Sequence, residues 1–145
     1  VTSVFQRPLV IPIVNMMKNE YRPVFSTITP CSARYLVTIA AGIPVLGDRR
    51  EGLMHNKFVV IDRSQVWSGS MNFTTSDGYL NNNNLVQVRS TRLAEDYTTE
   101  FNEMFQDDLF GPDIRSATPY PELEIEGVPL EVYFSPDDEV AQHLI

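Results

Sequence analysis

The sequence contains a single cysteine, Cys31, among its 145 residues. One thiol can form neither an internal disulfide nor a zinc site built from several cysteines, so both kinds of stabilised scaffold are excluded. No run of 18 apolar residues is present, so we expect no transmembrane segment. Apolar residues nevertheless make up 43% of the sequence, which is enough for a hydrophobic core and excludes wholesale disorder.

Positive charge is also scarce, because 11 Lys and Arg stand against 19 Asp and Glu, for a net charge of −8. An acidic total argues against a coat of non-specific nucleic-acid contacts, which needs many basic side chains. The imbalance is uneven: residues 1–50 hold six basic and two acidic side chains, whereas residues 51–145 hold five and seventeen. The composition is therefore still compatible with a local basic cleft.

Hydrophobic patterning predicts alternating strands and helices, and therefore an α/β protein. Short apolar runs predict strands, and helical spacing of apolar residues predicts helices. The predicted strands are 9–14, 43–46, 57–61, 66–73, 85–89 and 130–134, and the predicted helices are 31–41 and 93–105. Residues 74–84, which include Gly78 and four consecutive asparagines, are predicted to form a loop.

The chain divides into three parts by composition. Residues 1–110 carry most of the predicted elements, and residues 111–129 combine four prolines with four acidic residues, as is typical of a linker. A new unit starts at residues 130–145. Because the chain stops just as this unit begins, we expect it to be a fragment of a longer protein.

One predicted β-hairpin holds an unusual set of polar residues. His55 and Lys57 share one face of a strand because they are two residues apart, and Ser70 and Asn72 share a face for the same reason. If Arg63–Ser64 formed the centre of a two-residue turn, Lys57 would lie opposite Ser70 and His55 opposite Asn72. This register would bring four polar side chains together on one face of an otherwise apolar hairpin.

These residue types suit a phosphate group. A lysine supplies positive charge for an anionic oxygen, and serine and asparagine supply neutral hydrogen-bond donors. A histidine acts as a nucleophile or as an acid and base near neutral pH. The sequence shows no carboxylate cluster that would hold a catalytic metal, which favours metal-free phosphodiester chemistry over a two-metal nuclease. We expect neither a metal nor a cofactor.

The spacing His-x-Lys-x4-Asp-x6-Gly-Ser-x-Asn resembles the signature of the phospholipase D superfamily. It is present here as His55, Lys57, Asp62, Gly69, Ser70 and Asn72. The resemblance covers about residues 31–110, and residues 130–145 resemble the opening of a second repeat. It implies an α/β/α sandwich with a mixed β-sheet, in which residues 1–110 form one repeat that carries the motif.

The resemblance also implies a role for each motif residue. His55 would be the nucleophile that forms a phosphohistidine, or its acid partner, while Lys57 and Asn72 would hold phosphate oxygens and Ser70 would assist. Asp62 belongs to the motif and is a candidate catalytic residue. Its position along the strand places it on the opposite face from His55, so we expect it to stabilise the turn.

Two departures from the family pattern affect the predicted activity. Asn83 is the nearest equivalent of a glutamate that often orients the histidine, and an amide cannot stabilise an imidazolium as a carboxylate does. The sequence also holds one copy of the motif, whereas the family reaction needs a second histidine. That histidine must come from a homodimer mate or from a missing C-terminal repeat, and the repeat-like residues 130–145 favour the second source.

The sequence therefore predicts a phospholipase D-like phosphodiesterase that cleaves, or transfers at, a phosphodiester through a phosphohistidine. Phospholipids and nucleic acids are both candidate substrates. The alternative is a non-catalytic half of a two-motif protein, which binds phosphate or only supports the fold.

Overall fold

The structure is a computed structural model that describes residues 40, 42, 44, 46, 54–110, 117–136 and 138–143. The predicted strand 9–14 and most of the predicted elements 31–41 and 43–46 lie outside the described residues. Gly42 has a φ of 73°, the left-handed conformation that commonly ends a helix, in agreement with its predicted position. No helix in the described part of the chain is long and apolar enough to cross a membrane.

The described elements confirm the α/β class. They are, in chain order, β1 (Phe58–Ile61), β2 (Gln65–Gly69), α1 (Thr75–Tyr79), β3 (Leu85–Arg89), α2 (Thr91–Phe105), β4 (Glu122–Ile125), β5 (Val128–Glu131) and a 3-10 helix (Val140–Gln142). One sheet has the order β1-β2-β3, and a second sheet is the β4–β5 hairpin. All strand pairs among the described residues are antiparallel.

The predicted register of the first hairpin is wrong by one residue. Ile61 pairs with Gln65, which leaves a three-residue loop, Asp62–Ser64, in place of the predicted two-residue turn. Asp62 and Arg63 have φ values of 52° and 51°, and the Ser64 N–H donates to the Ile61 carbonyl at 3.1 Å. The strands alone therefore do not place Lys57 opposite Ser70, and the polar residues must be brought together in another way.

Helix α2 covers one face of the three-stranded sheet. The Ser90 side chain caps the helix by accepting a hydrogen bond from the Leu93 N–H at 3.2 Å, as expected for an N-cap serine. The apolar side of the helix contributes buried Leu93, Ala94, Phe101 and Met104, and the sheet contributes buried Phe58, Val60 and Val66. These side chains share one hydrophobic core, which confirms the helix predicted from the spacing of apolar residues.

The residues predicted to form a linker include regular structure. Strand β4 and the start of β5 lie within 111–129, so part of this proline-rich segment is paired in a β-hairpin. Pro129 is accommodated in a two-stranded hairpin, where each strand has a free edge. The predicted strand 130–134 is shifted, because β5 spans Val128–Glu131. The proposed division of the chain into domains stays a prediction.

The C-terminal segment packs against α2. The Tyr97 ring makes edge-to-face contacts with Phe58 on one side and Phe134 on the other, each with ring centroids 5.0 Å apart. The Asp96 carboxylate accepts a hydrogen bond from the Tyr120 N–H at 2.8 Å. The segment from 117 onward therefore extends the core of the preceding helix and sheet.

Asp96 is a buried carboxylate on α2. It lies beyond the first turn of the helix, where an acidic residue would favour the helix dipole, and it is fully buried. One carboxylate oxygen has no hydrogen-bond partner among the described residues. Burial, with a smaller contribution from the charge of Glu95, raises the pKa of Asp96 to about 6.

We expect Asp96→Asn to change how stability depends on pH. The unfolded Asp96 ionises near its ordinary pKa of 3.8 and the folded one near 6, so the folded state holds an extra proton between these values. The wild type should therefore lose about 1 to 3 kcal/mol of unfolding free energy, relative to the variant, as the pH rises from 4 to 6. Urea denaturation across this pH range measures the difference.

The matched control for this experiment is Asp107→Asn, which removes an exposed carboxylate just beyond α2. The difference in unfolding free energy between Asp107→Asn and the wild type should not grow between pH 4 and 6. A flat difference for Asp96→Asn across the whole range would show that burial of Asp96 does not oppose its ionisation.

Candidate active site

A buried lysine and an exposed histidine lie just before β1. Lys57 is only 8% exposed, and its Nζ donates a hydrogen bond to the His55 carbonyl at 2.7 Å. Burial lowers the pKa of Lys57 below its usual value, and the negative charge of Asp77 partly opposes this shift. The His55 residue is exposed, so a substrate can reach its imidazole from solvent.

A contact with α2 fixes the backbone between these two residues. The side-chain amide of Asn56 donates to a carboxylate oxygen of Glu100 at 3.0 Å, and Glu100 is 3% exposed. The Ser68 hydroxyl donates to the Lys57 carbonyl at 3.3 Å and joins the start of β1 to β2. The hydrophobic core and two polar contacts thus determine where the motif strand begins.

The segment after β2 is not a simple loop, which corrects the prediction for residues 74–84. It contains α1 (Thr75–Tyr79), whose N-cap Thr74 accepts a hydrogen bond from the Asp77 N–H at 3.2 Å. The predicted strand 66–73 is correspondingly shorter, since β2 ends at Gly69. The chain then turns back, so that its last asparagines lie beside Ser70.

Asp77 lies at the centre of this segment and was not recognised from the sequence. It is 8% exposed. Its carboxylate accepts hydrogen bonds from the Asn72 N–H at 2.7 Å and from the Asn81 side-chain amide. These hydrogen bonds, together with the charge of Lys57, lower the pKa of Asp77, so this carboxylate is held in its charged form. A lone aspartate within a polar stretch gives no sequence signal for such a position.

Ser70 is joined to the asparagines at the end of the segment. Its hydroxyl donates to the Asn83 side-chain oxygen at 3.2 Å and accepts from the Asn84 N–H at 3.0 Å. The Asn83 side-chain amide in turn donates to the Asp77 carbonyl at 3.0 Å. The structure therefore brings together Ser70 and Asn83, and it directs the Asn83 side chain to Ser70 and Asp77.

Gly69 allows this close approach of the two chain segments. A Cβ atom at this position would collide with the backbone carbonyl of Asn84, and also with its side-chain oxygen. The Ser70 N–H donates to the same Asn84 carbonyl at 3.1 Å. The glycine of the motif is thus needed because backbone lies directly against it.

Asp62 lies apart from the other motif residues. It is exposed and occupies the loop at the far end of β1 from Lys57. Its position is the turn expected for it, and an aspartate tolerates the positive φ found there. Of the other predicted site residues, the structure joins Ser70, Asn72 and Asn83 through Asp77, and separately joins Lys57 to His55.

No group of three or more His, Cys, Asp and Glu side chains in the described ranges is arranged to hold a metal ion. The side chains of the site offer one imidazole, one buried ammonium, one hydroxyl and two amides.

A family model described as "Cardiolipin synthase, PLD-like domain" matches residues 13–105, which is more than half of the chain. The chain belongs to this family of phospholipase D-like domains. The match confirms the predicted membership in the phospholipase D superfamily.

Individual relatives match shorter parts. "Mitochondrial cardiolipin hydrolase" of Xenopus laevis is 32% identical over 68 residues, which are 47% of this chain and 32% of that protein. "Phospholipase D" of Rickettsia felis is 40% identical over 57 residues, 39% of this chain and 28% of that protein. The chain thus spans about a third of the length of these relatives. Among solved structures, the phospholipase D family member Nuc from Salmonella typhimurium matches 47% of this chain and 43% of its own, with 33% identity and a TM-score of 0.40.

We expect Gly69→Ala to destabilise the protein because the new methyl group must displace the backbone at Asn84. The cost of such overpacking is typically about 1 to 3 kcal/mol. Gly78→Ala is the matched control, since it adds the same methyl group in α1 with nothing within 4 Å. That change should be neutral or stabilise the protein by up to about 1 kcal/mol. Urea denaturation of both variants measures the contrast, and equal stabilities would contradict the close contact at Gly69.

Proposed function

We propose that the chain provides one half of a phosphodiesterase active site, in which His55 is the nucleophile and Lys57, Ser70 and Asn72 bind the phosphate group. The observation that carries this proposal is the pairing of an exposed His55 with a buried Lys57 whose Nζ donates to the carbonyl of that same histidine. The lysine is therefore held directly beside the nucleophile. Membership in the phospholipase D-like family supports the same reaction class.

The proposed reaction has two steps. In the first, a ring nitrogen of His55 attacks phosphorus and forms an N–P bond while the bond from phosphorus to the leaving alcohol oxygen breaks. A second histidine gives its proton to that oxygen. In the second step water attacks phosphorus, the second histidine takes the proton from this water, and the N–P bond breaks.

Lys57 contributes charge to both steps. Each step develops negative charge on the phosphate oxygens, and a partly desolvated ammonium stabilises this charge more strongly than one in water. Ser70 and Asn72 add neutral donors. The single hydroxyl proton of Ser70 is donated to Asn83 in this structure, so Ser70 must turn this proton towards a phosphate oxygen when the ligand binds.

The second histidine must come from a partner chain or from a further segment of the same protein. We propose the further segment, because residues 130–145 resemble the start of a second repeat and the chain spans about a third of its relatives. Activity per chain that rises with concentration, in parallel with dimer formation, would instead identify a partner chain.

The substrate we propose is a phospholipid or a nucleic acid, with a phospholipid tested first. The relatives named cardiolipin hydrolase and phospholipase D support this order. The net charge of −8 disfavours non-specific binding of nucleic acid. Added primary alcohol would reveal transfer, because the alcohol would appear in the product in place of water.

A non-catalytic half that binds phosphate is the second candidate function. One observation favours it: the Asn83 amide is directed to Ser70 and the Asp77 carbonyl, and an amide cannot stabilise an imidazolium as a carboxylate does. This arrangement supports phosphate binding without requiring a charged histidine.

His55→Asn tests the catalytic role. If the wild-type chain hydrolyses bis(p-nitrophenyl) phosphate, the variant should lose at least about a thousandfold in kcat, as expected when a nucleophile is removed. His143→Asn is the matched control, because His143 is the other histidine of the chain and stacks on Tyr133 in the C-terminal segment. The control should retain wild-type kcat.

Equal hydrolysis by the wild type and His55→Asn would contradict the catalytic proposal. Absence of hydrolysis in both chains, with binding of inorganic phosphate detected by titration, would favour the non-catalytic half. Any longer form of the protein that carries a second motif should be assayed in parallel, since one motif supplies one of the two histidines of the proposed reaction.

A further inference from the structure

We propose that Asp77 is the positioning residue of the candidate phosphate site: its carboxylate fixes the backbone at Asn72, and its backbone carbonyl holds the Asn83 side chain. This inference rests on the proposed function for its catalytic meaning. Its structural content can be tested without turnover. The hydrogen bonds of Asp77 join the chain just before α1 to the chain just after it.

The negative charge of Asp77 affects the ionisation of Lys57. Lys57 is 8% exposed, and burial of an ammonium group favours its neutral form. A neutral amine would offer a phosphate no charge. The carboxylate of Asp77 acts on Lys57 in the opposite sense, and the carboxylate is itself kept ionised by hydrogen bonds from Asn72 and Asn81. The charge of Asp77 therefore raises the pKa of Lys57 and partly offsets the effect of burial.

The hydrogen bonds of Asp77 fix the chain around α1. The two oxygens of the carboxylate contact the chain before and after α1, namely the Asn72 N–H and the Asn81 side-chain amide. The backbone carbonyl of Asp77 accepts from Asn83, which in turn accepts from the Ser70 hydroxyl. Asp77 thus connects Asn72, Asn83 and, through Asn83, Ser70. The strand register does not provide this connection.

The contact of the Asp77 carboxylate with Asn72 differs from ordinary helix capping. A capping acid at the third position of a helix reaches back to the N–H of the N-cap residue. Here the N-cap is Thr74, but the Asp77 carboxylate reaches past it to the N–H of Asn72, a motif residue. The contact is therefore directed at the site in addition to the start of α1.

The negative charge of Asp77 has an electrostatic cost near an anion site. A carboxylate close to an anion site repels the ligand unless its charge is neutralised and its oxygens are occupied. Both oxygens of Asp77 accept hydrogen bonds, the residue is 8% exposed, and Lys57 supplies the opposite charge. These contacts allow a negative group to lie behind the site without facing the substrate.

The chain is well suited to a direct test, because Lys18 and Lys57 are its only lysines. With lysine labelled by carbon-13 at the ε-position, the NMR titration contains two signals, which Lys18→Arg assigns. We expect Asp77→Asn to lower the pKa of Lys57 relative to the wild type and to leave that of Lys18 unchanged. In active protein, the alkaline limb of the pH–rate profile should move to lower pH in the same variant.

Thr74→Ala is the matched structural control. It removes the side-chain cap of α1 but keeps the Asp77 carboxylate, so it should not lower the pKa of Lys57. Amide hydrogen exchange provides the second measurement. Asp77→Ala should accelerate exchange at Asn72 by about tenfold, the effect of losing one hydrogen bond to a charged acceptor, whereas Thr74→Ala should accelerate it much less.

Equal exchange at Asn72 in Asp77→Ala and Thr74→Ala would overturn the proposal. An unchanged pKa of Lys57 in Asp77→Asn would overturn the contribution of the Asp77 charge. If the wild type shows no phosphodiester hydrolysis but exchange at Asn72 responds as expected, the proposed function fails while the positioning role of Asp77 stands. A chain that hydrolyses phosphodiesters, with equal exchange at Asn72 in the two variants, would show the reverse.

Discussion

The packing of α2 on the β1–β2–β3 sheet forms the hydrophobic core to which the motif segment and the C-terminal segment are attached. The apolar side of the helix and the inner face of the sheet bury side chains that each contribute about 1.5 to 3 kcal/mol relative to exposure. Phe58 begins the buried row on β1 and contacts the Tyr97 ring. Because this contact fixes Phe58, it also fixes the two motif residues just before it. The C-terminal segment adds to the same core through Phe134.

The candidate site is attached to this core by polar contacts rather than by strand pairing. Glu100 of the helix holds Asn56, and the segment after β2 turns back so that Asn84 lies against Gly69. Amide side chains are effective in this position because each can donate and accept at once, as Asn83 does between Ser70 and Asp77. The asparagine-rich segment, which has no hydrophobic pattern, thereby acquires one defined conformation.

The net charge of the chain says little about the charge at the site. The acidic excess lies in residues 51–145, where much of it is exposed, as at Glu122, Glu124 and Glu126 of the β4–β5 hairpin. Near the motif, the local electrostatic potential depends on the buried Lys57 and the ionised Asp77, whose charges are opposite. An acidic protein can accordingly present a site suited to an anion, because short-range contacts outweigh screened charges at a distance.

The sequence by itself determined the family, the residues of the motif, β1, β3 and α2, since these follow from fixed spacings and from strong local periodicity. It did not determine the hairpin register, because the turn residues Asp62 and Arg63 are compatible with loops of two or three residues. It also did not reveal α1 or Asp77, which lie in a polar stretch where local patterns carry no signal. Only the tertiary structure decided how Asn72 and Asn83 are connected, because the contacts of Asp77 depend on the path of the chain through α1, which the polar pattern of this segment does not specify.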